Sequence, residues 1–172
     1  MTGRGTALLM VVLLGLVGYL WLVETRHRRA APVAEAPPLL VATPDSVARV
    51  DLQDREGHLT AMRRDGSWTD AEGRTWESDA VSDLLDTLST LRPVMVVDPE
   101  PDDVAGYGLG ASAQHLQLAA GDGRPLLTLE VGERNPAWTG LYVRRTEEHQ
   151  VIMVGAVLRW EIEKLRDAAP GR

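Results

Sequence analysis

The chain has 172 residues, 44% of them hydrophobic and 25% charged, with a formal net charge of -7, which fits one globular domain plus a tail or an anchor. It contains no cysteine, which excludes disulfides, a thiolate nucleophile, cysteine-ligated metal and a lipoprotein anchor. Arg4, Arg26, Arg28 and Arg29 against Glu24 make the N-terminal stretch basic and leave the acidic excess on the body, so nucleic acid is not an expected partner.

Ala7–Val23 (ALLMVVLLGLVGYLWLV) carries no charge and predicts one transmembrane helix near the short limit for crossing a bilayer, with Tyr19 and Trp21 at the interface. A cleaved signal peptide is the rival. VAEA (33–36) offers an A-x-A pattern, but RHRR (26–29) stands between it and the apolar run, which favours an uncleaved anchor. The count of flanking arginines, taken alone, puts the body in the cytoplasm. Domain organisation follows as an anchor with its basic flank (1–29), an Ala/Pro-rich linker (30–46) acting as a semi-stiff spacer, one domain (47–168) and a tail (169–172).

Val47–Gln53 alternates, with Val50 and Leu52 on one face, and predicts a half-buried strand. Glu56-Gly57 turns it back into a second strand over 59–64. A loop-rich stretch with Gly66, Trp68 and Trp76 follows, its tryptophans capping the core. Ser78 is placed to cap a helix over 79–91, whose Val81, Leu84, Leu85, Leu88 and Leu91 share one face, and Pro93 stops it. Residues 94–97 read as a short buried strand, and DPEPDD (98–103) as a solvated acidic rim.

GYGLGA (106–111) raises the possibility of a dinucleotide-binding loop. That loop needs a helix starting inside the glycine run, whereas here an alternating strand follows, with Leu116 and Leu118 in and His115 and Gln117 out. The reading is therefore a turn in which Gly106, Gly108 and Gly110 permit positive φ and Tyr107 and Leu109 plug the core. Gly121-Asp122-Gly123 predicts a hairpin into a strand over 126–131. Residues 141–144 and 151–154 form a further hairpin, and a helix over 156–166 turns Val157, Leu158, Ile162 and Leu165 inward. The sum is an α+β fold: a mostly antiparallel sheet of hairpins with two amphipathic helices, preceded by the transmembrane helix.

His27, His58, His115 and His149 are scattered, without ligand spacing, and no metal or other cofactor is implied. Ser46, Ser78 and Ser112 lie near turns with no His and Asp placed to activate them, so no catalytic residue is assigned. Asn135, Pro136 and Trp138, with Gly140, make a loop between two strands. It either presents an aromatic contact surface or folds Trp138 back onto its own sheet.

The order of motifs resembles one family. YLWLVETR, DGSW, DLLDTLSTLR, VVD, YGL, VGERNP, GLYVRR, V-x-x-V and a closing helix ending LRD follow one another over roughly residues 18–168, and are similar to the family called domain of unknown function 4340. On this resemblance the family's Tyr-Gly-Leu falls on Tyr107, Gly108 and Leu109, its glycine after the long strand on Gly132, and its Tyr-x-Arg on Tyr142 and Arg144. The family's proline after the leucine is replaced by Ser112, which implies a looser turn there. The resemblance implies a bacterial protein held in the inner membrane through Ala7–Val23, with its soluble domain on the periplasmic or extracytoplasmic side, against the arginine count. It implies a non-catalytic accessory or scaffold role beside the permease and GldG-type component of an ABC transporter linked to gliding motility. The alternatives are a bitopic assembly protein of a secretion or envelope machine and, further off, an extracytoplasmic hydrolase.

Overall fold

The computed structural model describes residues 10, 12–19, 36–76 and 79–171. Of the expected anchor, residues 12–19 are helical with exposed side chains. Among the described residues no helix is long and apolar enough to cross a membrane. Trp21, the RHRR cluster, the first part of the linker and Ser78 lie outside the described residues.

The domain is α+β. Its strands are β1 (Val47–Asp54), β2 (Gly57–Arg64), β3 (Ser67–Thr69), β4 (Met95–Asp98), β5 (Gln114–Ala120), β6 (Pro125–Arg134), β7 (Gly140–Arg145) and β8 (Val151–Gly155); its helices are α1 (Ala80–Thr90) and α2 (Val157–Asp167). The strands form one sheet in the order β3-β2-β1-β5-β6-β7-β8-β4, and every neighbouring pair is antiparallel. Alternation along each strand directs Val50, Leu52, Leu116, Leu118, Leu129, Val131, Leu141, Val143, Ile152 and Val154 to one face. There they form a single cluster with Val81, Leu84, Leu85 and Leu88 of α1 and Leu158, Ile162 and Leu165 of α2. Both helices therefore cover the same face.

Four expectations are corrected. Residues 36–46 are not a spacer: Leu39 and Leu40 are buried in the core, and their N–H groups donate to the carbonyls of Leu91 and Leu88 at the end of α1. The stretch around Trp68 contains a third strand, β3, which pairs with β2. Among the described residues β4 is an edge strand bonded to β8 alone, so its residues are half-buried rather than buried. Val157 is 44% exposed, because the buried stripe of α2 runs through Leu158, Ile162 and Leu165 at spacing i, i+4, i+7.

Candidate functional site: a strap across the sheet and the groove beside it

β4 lies at one edge, but β5, which follows it in the chain, lies inside the sheet. The connecting residues 99–113 must cross β8, β7 and β6, and they do so on the face away from the helices. Alternation leaves Glu130 and Gly132 of β6 and Tyr142 and Arg144 of β7 on that face. The sequence-predicted Tyr107, Gly108 and Leu109 sit directly against them.

The contact is close because glycine stands on both sides. A Cβ on Gly132 would lie 2.3 Å from the Tyr107 carbonyl oxygen and 3.1 Å from the Leu109 side chain. A Cβ on Gly108 would lie 2.8 Å from the Glu133 backbone nitrogen. Gly108 and Gly110 adopt positive φ (71° and 74°), as the turn reading expected; Gly106 does not. Leu109 is 1% exposed, but it packs against Gly132 on the face away from the helices, so it fills the space under the strap and does not join the core cluster, contrary to expectation. Tyr107 is half-buried. Its ring meets Tyr142 edge-on at 5.1 Å, and its hydroxyl donates to the Asp98 carboxylate at 3.2 Å, tying the strap back to the end of β4. Burial, followed by the hydrogen bond to Asp98, pushes the Tyr107 phenol above its ordinary value.

Under the strap, Glu130 is 8% exposed. One of its oxygens accepts from Arg144 Nη2 at 2.7 Å and from the Gly110 N–H at 3.3 Å. A buried carboxylate requires such a partner, since desolvation alone disfavours its charge. Asp98 and Glu130 were not assigned these roles from sequence. The available signal was a lone acid, Glu130, inside the apolar stretch LLTLEV of β6.

Beside the strap lies an open groove of about 710 Å³, lined by Gly108, Ser112, Gln114, Gly132, Asn135, Pro136 and Trp138, by Asp54, Arg55 and Glu56 of the β1–β2 turn, and by Arg159 and Glu163 of α2. Asn135 builds its rim: the side-chain oxygen accepts from the N–H groups of Thr139 (2.9 Å) and Gly140 (3.0 Å), and the side-chain nitrogen donates to the Thr139 hydroxyl. Gly140 is required where it stands, as a Cβ there would meet the Val154 carbonyl at 2.6 Å. Trp138 is held at φ 61°, is 70% exposed and has the Arg134 guanidinium 5.3 Å from its ring centre. It does not fold back on the sheet. Arg159 pairs with Glu163 at 2.9 Å, and Arg166 pairs with both Asp54 and Glu56, so much of the charge around the groove is internally matched. Among the described residues no group of three His, Asp or Glu side chains converges on a metal-sized site.

Residues 68–167, more than half of the chain, match the model of the family described as Domain of unknown function (DUF4340). The chain belongs to this family. The match takes in the strap, the glycine pair, Tyr142, Arg144 and the loop that carries Trp138; β1, β2 and the N-terminal segment precede it. No curated protein and no solved structure matches the chain.

Proposed function

We propose that this protein is a non-catalytic accessory subunit of a membrane complex, tethered by Ala7–Val23 and acting through the groove beside the strap. The observation that carries the reading is Trp138. A left-handed backbone is unfavourable for a tryptophan, yet the Asn135 bonds hold the residue there with its ring in solvent. Tryptophan and arginine together are the side chains most enriched where protein contacts concentrate their binding energy. The complex we favour is an ABC transporter with a GldG-type component, and the side of the membrane is extracytoplasmic. Family membership and the uncharged run support that choice.

Capture of the tagged full chain from detergent-solubilised membranes tests it. Recovery of permease or ATPase components is expected. The Trp138→Ala variant should lose them, with affinity falling by roughly thirtyfold, the effect of removing a contact of about 2 kcal/mol, while its melting temperature stays within a degree or two of the parent. A protein always recovered alone overturns the proposal. A reporter fused at Arg172 that is active only in the cytoplasm overturns the assigned side.

A further inference from the structure

Among the described residues from 36 onward, the large apolar side chains left exposed are Val41, Val94, Trp138, Val157 and Trp160. Trp138 belongs to the groove. Val94, Val157 and Trp160 gather at one corner, where the start of α2 meets the end of α1. A Cβ on Gly155, just ahead of α2, would lie 3.6 Å from the Leu91 side chain and 3.9 Å from that of Val157. Val94 is tied to the same end of β8, its N–H donating to the Met153 carbonyl. Trp160 follows Val157 by one helical turn and shares its face. The Lys164 ammonium stands 5.6 Å from the Trp160 ring centre and pairs with Asp83 of α1, so these charges lie to one side of the apolar patch.

The chain joins its folded part at this corner. The Ala36 carbonyl accepts from Arg92 Nη1 at 2.7 Å, and the Leu39 N–H donates to the Leu91 carbonyl at 2.9 Å. Residues 24–35 alone separate Ala36 from the uncharged run Ala7–Val23; fully extended they reach about 40 Å. We propose that this corner rests on the surface of the bilayer that Ala7–Val23 enters, with the Trp160 ring at the headgroup level and Leu91, Val94 and Val157 turned toward the lipid. Tryptophan favours that layer, because its ring is apolar and its N–H finds a partner there. The stem of Lys164 can lie along the same surface with its ammonium in water. A patch of this size would bind a membrane weakly from solution. The tether makes docking intramolecular, at an effective concentration of about millimolar, so a weak apolar contact is enough. The bilayer is also the one surface that the tether keeps within reach at all times. Because the body carries the acidic excess, the contact is apolar and does not call for anionic lipid. This placement rests on the tether proposed above and is independent of what fills the groove.

The absence of cysteine from the chain makes the test direct. Val157→Cys in the full-length protein, labelled with an environment-sensitive fluorophore, is reconstituted into phosphatidylcholine vesicles. Replacing part of the lipid with phosphatidylcholine that carries a nitroxide near its headgroup should quench the label by about twofold or more, and raised salt should leave the quenching in place, since apolar contact is not screened. The same label on Glu72→Cys, in the loop that follows β3 at the opposite edge of the sheet, should stay unquenched. Adding Trp160→Glu to the Val157→Cys chain should return its label to water. Alkaline carbonate extraction of the same vesicles reads the tether separately. An unquenched label on a chain that resists extraction overturns the docked corner and leaves the tether standing, whether the corner stays in water or is reserved for a protein. A chain that carbonate releases overturns the tether and the docked corner with it. Equal quenching at positions 72 and 157, quenching abolished by salt, or quenching indifferent to Trp160→Glu also overturns the proposal.

Discussion

Gly132 and Gly108 mark where two stretches of backbone touch, and each can be tested alone. Gly132→Ala should destabilise the domain by about 3 kcal/mol, the upper range for an overpacked site, because the methyl group would displace the Tyr107 carbonyl and lift the strap. The urea midpoint should fall accordingly, and protease sites in 99–113 should open before global unfolding. Glu161 of α2 tests a different force. It is buried, and one of its oxygens has no hydrogen-bond partner among the described residues. Burial pushes its carboxyl above the ordinary range; Lys164 draws it back and Asp83 adds to the rise. A raised carboxyl holds its proton more tightly in the folded chain, so it favours folding below the unfolded value of about 4.3 and loses that contribution as pH climbs through the folded value. Glu161→Gln cannot ionise. Its melting temperature should match the parent near about pH 4 and exceed it increasingly at higher pH.

At the scale of elements, Leu39 and Leu40 decide where the domain starts. Leu40→Ala should cost about 3 kcal/mol, as for other buried leucines, measured by urea unfolding; a true spacer would tolerate the change. These leucines were read as linker because their neighbours PP and VATP have no period, and two apolar residues in a row do not reveal which face they join. β3 was missed for a related reason: three residues are too few to show alternation. β4 was assigned correctly as a strand but incorrectly as buried, since an apolar run records hydrophobicity and not the number of neighbouring strands. Val157 was placed inward on composition, whereas the stripe through Leu158, Ile162 and Leu165 turns it, with Trp160 (60% exposed), toward solvent. By contrast β1, β2, β5 to β8 and both helices were legible from periods of two and of 3.6, because each is long enough to repeat.

For the whole molecule, one core joins both helices to strands from both halves of the sheet. The family match begins at residue 68, leaving β1 and β2 outside it, yet β1 is bonded between β2 and β5 and supplies Val50 and Leu52 to the core. A fragment of residues 68–167 should therefore fail to fold, with weak far-UV circular dichroism and no cooperative melt, because it exposes the whole edge of β5 and the core beneath β1. A cooperative transition in that fragment would show that the matched segment is a folding unit by itself.

Of the candidate site, the residue types were visible in the sequence and their arrangement was not. YGLG, VGER and LYVRR stood out as separate motifs; local chemistry was enough to assign glycine turns and an α+β fold, and the order of the motifs supplied the resemblance to the family. That these motifs meet was decided by β4 lying at the edge while β5 lies inside, which sends residues 99–113 across the far face of the sheet. The strand order also left Val96 on an edge strand and placed Glu130 beneath the strap. Periodicity is a property of neighbours along the chain, whereas strand order and burial arise when segments far apart in sequence compete for the same apolar surface, and only the folded molecule records the outcome.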